Sequence, residues 1–270
     1  MLVKLMRFEM RRLVRRFQLR VFGHIPYFGS RLWLARDSFV ARSIVDETIY
    51  EAPVYLAMRD LAIADTTVFD IGANVGATVL PLLAERADIH VVSFECSPNV
   101  LRYLRRTHDD CAHRGRWKIM DFALGSADGV QEFFVTEGQG GVLDGFRDTG
   151  RSAAGRKVEV QVRTLDGIWK TLGRPPVSVI KIDVEGAESE VLAGAVELLE
   201  TQRPTVLLEW ARSNLAAYGI EPKQLFGFRR FGYEIHALPD MQRVDAALLP
   251  LFMGRTAMFA LVPKQSSASQ

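Results

Sequence analysis

The chain has 270 residues, 48% apolar and 24% charged, enough for one large α/β domain with a short extension and too apolar for global disorder. A formal net charge of +2 argues against a broad nucleic-acid surface, and the two cysteines, Cys96 and Cys111, match no zinc, redox or disulfide framework. No apolar run reaches the roughly 20 residues of a membrane span, and no uninterrupted apolar stretch follows the basic start, so a cytoplasmic protein without a secretory signal is expected.

The charge is uneven. Residues 1–22 carry Lys4, Arg7, Arg11, Arg12, Arg15, Arg16 and Arg20 against Glu9 alone, a net +6 that leaves the remainder at −4. Leu2, Met6, Met10, Leu13, Phe17 and Val21 recur at helical spacing, with basic residues on the opposite face. Such a helix either packs its apolar face on its own domain or lies on an anionic membrane surface, which would make the protein peripheral at the inner membrane surface. Residues 1–60 are expected to form this basic, amphipathic helical extension, 61–263 the α/β domain, and 264–270 a flexible polar tail.

From residue 66, short β-rich runs alternate with helical stretches. Thr67–Ile71 reads as the first strand, and a helix follows from Val75 to about Arg86, with Pro81 irregular in it. His90–Glu95 is the second strand. Ser97 and Pro98 occupy the N-cap and first position of the next helix. Trp117–Phe122 is the third strand. Val130–Thr136 and Lys157–Arg163 read as an inserted hairpin flanking a Gly/Asp/Arg/Ser-rich long loop over 137–156. Val177–Asp183 is a buried fourth strand, Ala187–Gln202 a helix, Thr205–Glu209 the fifth strand, and Tyr233–Ala237 and Ala257–Val262 two closing strands. Alternating strands and helices imply a mainly parallel, Rossmann-like sheet covered on both faces.

The first strand ends Asp70-Ile-Gly-Ala-Asn-Val-Gly76. Gly72 permits a sharp turn, and Gly76 lets a helix begin close to a ligand, where free N–H groups attract an anion such as a carboxylate. Asp70 can accept a hydrogen bond from a ligand amino group, and Asn74 offers both donor and acceptor. A glycine turn of this kind also serves simply to pack helix on strand. Glu95 stands 19 residues beyond Gly76, at the end of the second strand, where an acidic residue reaches a ribose hydroxyl pair. Asp121 and Phe122 are placed to meet an adenine, or are plain edge residues.

The run Val179-Ile-Lys-Ile-Asp-Val-Glu-Gly-Ala-Glu188, with Phe69–Gly76, Phe94-Glu95 and Arg163-Thr-Leu-Asp166, resembles the FkbM family of S-adenosylmethionine-dependent methyltransferases over roughly residues 66–211. The resemblance implies a class I methyltransferase fold, seven strands with the last antiparallel, with S-adenosyl-L-methionine as cofactor. It also implies O-methylation of a small-molecule or glycan acceptor: a sugar, a glycolipid or a polyketide-like metabolite. Pro81 and Cys96 depart from the family pattern, and the first 60 and last 50 residues carry little of it.

Methyl transfer needs an aligned nucleophile and, for an alcohol, a base that takes its proton. Asp183 is the first choice for that base and Glu185 the second. Lys181, on the same strand face as Asp183, either pairs with a carboxylate or holds an acceptor oxygen. The alternative is a buried Lys181–Asp183 ion pair, with Glu185 and Glu188 favouring the next helix N-terminus. Glu209 and Trp210 can line an acceptor pocket, and His236 is a further base candidate. Asp183 with Glu185 or Glu209 would suit Mg²⁺, but no metal is expected. Two rival readings are an NAD-dependent oxidoreductase, whose Gly-x-Gly-x-x-Gly fingerprint is broken by Asn74, and a non-catalytic, membrane-recruited binding module.

Overall fold

The computed structural model describes residues 2–46, 49–137, 141–149 and 155–264, with side chains from residue 9 onward apart from that of residue 46. Residues 138–140 and 150–154 of the expected loop, 265–270 of the expected tail, and the side chains of Leu2, Lys4, Met6 and Arg7 lie outside the described residues.

The extension comprises α1 (Leu2–Phe22), β1 (His24–Tyr27), β2 (Ser30–Trp33), α2 (Phe39–Asp46) and α3 (Ala52–Leu61). The main fold continues with β3 (Thr67–Ile71), α4 (Val79–Glu85), β4 (His90–Phe94), α5 (Pro98–Asp109) and β5 (Trp117–Met120). Next come β6 (Ala123–Leu124), β7 (Gly129–Thr136), β8 (Gly155–Arg163), α6 (Leu165–Thr171), β9 (Val177–Ile182), α7 (Glu188–Ala193) and α8 (Val196–Thr201). The chain closes with β10 (Thr205–Glu209), α9 (Arg212–Tyr218), β11 (Tyr233–Ala237), β12 (Gln242–Arg243), α10 (Leu249–Phe252) and β13 (Met258–Pro263).

The main sheet runs β12-β11-β13-β10-β9-β3-β4-β5. Strands β5, β4, β3, β9 and β10 pair in parallel, and the last strand, β13, enters antiparallel between β10 and β11. The seven expected strands are present, and the two-residue β12 adds an eighth at the edge. Strands buried on both faces carry apolar residues at nearly every position. Val68, Val91, Val179 and Leu207 face one layer with α3, α4 and α5, while Phe69, Ile71, Ile180 and Leu208 face the other with α6, α7 and α8.

Several expectations change in detail. The extension contains a β-hairpin: Phe28 (φ 46) and Gly29 (φ 72) form a two-residue turn with both central residues left-handed. Its Ile25, Leu32, Val40 and Met58 share one core with Leu83, Val91 and Leu104, so the extension is continuous with the sheet. The first crossover helix begins at Val79 rather than Val75, because residues 72–78 are taken up by turns. This leaves Pro81 in the helix's first turn, where its missing N–H costs little. The third strand stops at Met120. The helix expected over 187–202 is two helices, because Gly194 lets the Gly125 carbonyl in; a Cβ there would sit 2.1 Å from that oxygen. The broken end is capped by Asp166, which accepts from the N–H groups of Glu197 and Leu198 at 2.9 Å each.

Candidate active site

The carboxyl ends of β3, β4, β9 and β10 open into one cavity of about 430 Å³. It stands where the strand order reverses, between β3 and β9, the crevice at which an open α/β sheet receives ligands. Gly72, Asn74, Glu95, Phe122, Lys181, Asp183 and Glu185 all line it.

Gly72 brings the two central strand ends together. Its φ is 76°, and a Cβ would lie 1.8 Å from the Asp183 carbonyl oxygen, so only glycine fits. The Asp183 N–H donates to the Ile71 carbonyl at 3.0 Å, and Lys181 Nζ donates to the Gly72 carbonyl at 2.8 Å. Lys181 Nζ also lies 3.4 Å from Asp183 and 3.6 Å from Asp70. Burial opposes the Lys181 charge, but Asp183 and Asp70 outweigh it and hold its pKa above the usual value. Asp70 is fully buried and outside the pocket wall; it neutralises Lys181 and accepts from Ser93 Oγ at 3.3 Å. Burial pushes its carboxyl upward, and Lys181 counters this in part.

The residues after β9 divide into builders and presenters. Glu188, buried, accepts from the N–H groups of Val184 (3.2 Å) and Gly186 (3.1 Å), tying the turn together. A Cβ on Gly186 would lie 2.5 Å from the Tyr218 ring. Asp183 and Glu185 line the cavity instead. The buried Asn214 donates from Nδ2 to Glu185 (3.1 Å) and to Glu209 (2.6 Å). Asp183, Glu185 and Glu209 each offer an oxygen within 4.8 Å of the others, a hard donor set that can hold Mg²⁺ or Ca²⁺.

On the other side, Glu95 accepts from the N–H of Asn74 (2.9 Å) and of Ser97 (2.7 Å). A carboxylate has about four lone-pair positions, so about two remain for a ligand. Burial pushes the Glu95 carboxyl up to about 7 against those two donors. The Ser97 hydroxyl does not cap its helix; it donates to Asp144 at 2.5 Å. Asp144 also accepts from the Thr136 N–H (2.7 Å) and hydroxyl (2.8 Å), which pins Val142, Leu143 and Phe146 along the pocket.

Sequence patterns missed Tyr50 and Glu51, which reach the pocket from the extension. Burial, with the Asp183 charge added, pushes Glu51 up to about 7. The local signal was Pro53, which marks a helix start but says nothing about chemistry. Besides Asp70, four expected residues do not join the wall. Gly76 packs against Trp117, whose ring a Cβ would meet at 2.5 Å. Asp121 is exposed and paired with Arg105 at 2.7 Å. Trp210 is buried and donates to the Pro222 carbonyl at 3.0 Å. His236 bonds the Met241 carbonyl at 2.8 Å, on the far strand β11.

Burial raises Glu95 and Glu188 to about 7 from a usual 4.5. The folded chain therefore keeps protons there that the unfolded chain has released. This stabilisation is full below pH 4.5 and is lost as the pH rises through about 7. The carboxylates shifted the other way, Asp60, Asp88 and Glu197, lie on the surface, where solvent screens them. Denaturant unfolding should therefore show greater stability at about pH 5.5 than at about pH 8, by on the order of 1 kcal/mol per buried carboxylate. The reverse order would contradict this account.

A family model described as the Methyltransferase FkbM domain matches residues 70–237. The 2-O-methyltransferase NoeI of Sinorhizobium fredii is 26% identical in an alignment 153 residues long that covers 52% of this chain and 61% of that protein. The chain thus spans less than two thirds of this relative's length. Among solved structures, Methyltransferase FkbM from Methylobacillus flagellatus aligns with a TM-score of 0.49 at 17% identity, over 82% of this chain and 52% of that one. An O-methyltransferase from Bacillus cereus in complex with SAH aligns with a TM-score of 0.44 at 14% identity, over 94% and 99%.

Proposed function

The chain belongs to the FkbM methyltransferase family, and from that membership we propose that it transfers a methyl group from S-adenosylmethionine to a hydroxyl of a sugar, glycolipid or polyketide-like metabolite. One observation carries the reading: Gly72, Glu95 and Asp183, from three different strand ends, line a single cavity. Its residues fit the cofactor. Glu95, with lone pairs left over, suits a ribose diol and repels a phosphate. Phe122 and Leu124 give an apolar wall for the adenine. Once bound, S-adenosylmethionine supplies an electrophilic methyl on a sulfonium.

The chain's own residues do the rest. Asp183, Glu185 and Glu51 make the opposite end of the cavity acidic. Their attraction for a cation adds affinity rather than rate, because it is already present in the ground state. Asp183, held by Lys181 at 3.4 Å, takes the proton of the acceptor hydroxyl as the new bond forms. The apolar segment Val142–Leu143 with Phe146 limits water at the reacting centre. The distant 2-O-methyltransferase relative supports a hydroxyl acceptor.

Calorimetric titration with S-adenosylmethionine, S-adenosylhomocysteine and NAD tests the reading, followed by mass spectrometry of a panel of hydroxylated acceptors. Binding of NAD alone would overturn it in favour of an oxidoreductase. Glu95→Gln keeps one acceptor oxygen but loses the charge. It is expected to weaken S-adenosylmethionine by about 1.5–3 kcal/mol, or about 10- to 150-fold, the scale of a hydrogen bond to a charged group. Unchanged affinity removes Glu95 from the cofactor site.

A further inference from the structure

Over its described side chains, residues 9–22, helix α1 packs with its less apolar side inward. Leu19, 5% exposed, is its buried apolar contact, and Arg15 Nη1 donates to the Ile44 carbonyl at 2.9 Å. At about 100° per residue, Met10, Leu13, Val14, Phe17 and Val21 fall on the side away from Leu19. These five are 48% to 64% exposed. From Met10 to Val21, the packing expected of this stripe against its own domain is therefore not what forms; Leu2 and Met6 lie outside the described side chains.

The surroundings of the stripe are basic. Arg16 and Arg20 flank it on one side and Arg11 on the other, by the same helical geometry. Arg16 and Arg20 also line a second cavity of about 560 Å³, together with Arg36, just before α2, and Arg42 within it. Among the described residues, Asp37 is the one acidic residue in that wall. Planar guanidinium groups grouped this way match phosphate oxygens. Among the described residues no helix is long and apolar enough to cross a membrane. An apolar stripe bordered by arginines is instead the pattern of a helix lying in a bilayer interface.

We propose that α1 and the adjoining arginine groove dock on an anionic phospholipid surface. The apolar stripe enters the acyl boundary, and Arg11, Arg16 and Arg20, with Arg36 and Arg42 of the groove, meet the headgroup phosphates. The pocket described above adjoins this surface through α2: Phe39, 53% exposed, and Val40 line the catalytic cavity, whereas Arg36 and Arg42 line the basic one. Docking therefore brings one wall of the cavity to the bilayer, which suits an acceptor presented there. The inference does not depend on methyl transfer.

Flotation of the full chain with vesicles of phosphatidylcholine, alone or with about 30% phosphatidylglycerol, tests it. The expected result is at least about tenfold more bound chain on the anionic vesicles, falling as salt is raised. Leu13→Glu/Phe17→Glu changes two exposed residues and should cut binding at least about tenfold, with unchanged far-UV circular dichroism and S-adenosylmethionine affinity. Arg20→Glu/Arg36→Glu should abolish the preference for anionic vesicles. Equal flotation of the parent chain and Leu13→Glu/Phe17→Glu, or equal binding to both vesicles, overturns the proposal. So does a parent chain that sediments as a dimer without floating while Leu13→Glu/Phe17→Glu is monomeric, which would assign the stripe to a second copy.

Discussion

Asp183→Asn is expected to lower kcat by about 10²- to 10⁴-fold, the usual contribution of a positioned general base. S-adenosylmethionine affinity should fall far less, by about tenfold at most, because Asp183 is one of three carboxyl groups at the acidic end of the cavity and Glu185 and Glu51 remain. Asn keeps the shape of the side chain but loses the charge and the capacity to take a proton, so the ion pair with Lys181 at 3.4 Å goes as well. Lys181 would retain Asp70 at 3.6 Å and the Gly72 carbonyl at 2.8 Å, so the strand end should hold. Glu185→Gln serves as the comparison. Glu185 already accepts from Asn214 at 3.1 Å, so a carboxamide there should cost less. A larger loss in Glu185→Gln than in Asp183→Asn would move the base to Glu185. Full activity in Asp183→Asn would leave Asp183 as nothing more than an ion-pair partner of Lys181.

What the sequence displays is local pattern. Strands β3, β9 and β10 are legible because burial on both faces makes them apolar at most positions, not at alternate ones. Gly72 and Glu95 are legible because each ends such a run. What stays hidden depends on contacts between distant segments. Asp70 looks like a ligand contact by position, but parallel register sets it opposite Lys181, and that register is not written in either strand alone. Gly76 looks like part of the ligand loop, yet its close neighbour is Trp117 of β5. The break at Gly194 comes from the Gly125 carbonyl some seventy positions earlier, which no helical periodicity can report. Tyr50 and Glu51 come from an extension whose pattern points elsewhere. The stripe on α1 is legible as spacing; which side turns to the domain is decided by Leu19 and Arg15 against α2 and β1. Even the most distinctive run, Lys181 to Glu188, divides its labour: Gly186 and Glu188 build the turn, and Asp183 and Glu185 face the cavity.

Lys181→Met is expected to lower stability by about 3–5 kcal/mol at neutral pH, the cost of leaving a buried charge without its partner. The stranded group is Asp70, fully buried, with Ser93 Oγ at 3.3 Å as its remaining donor. Burial already pushes Asp70 upward while Lys181 counters it, so removing the lysine raises it further. A carboxyl raised on folding favours the native state below its unfolded pKa, and that advantage is lost as the pH rises through the folded value. The variant should therefore be least impaired in mild acid and most impaired at alkaline pH, as denaturant unfolding across the range would show. Lys181→Met/Asp70→Asn removes both charges and should recover much of the loss, because replacing a buried pair by neutral groups costs far less than breaking it. If the double variant were as unstable as Lys181→Met alone, the damage would lie in packing or in the lost bond to the Gly72 carbonyl, and the buried charge would not be what holds β3 and β9 in place.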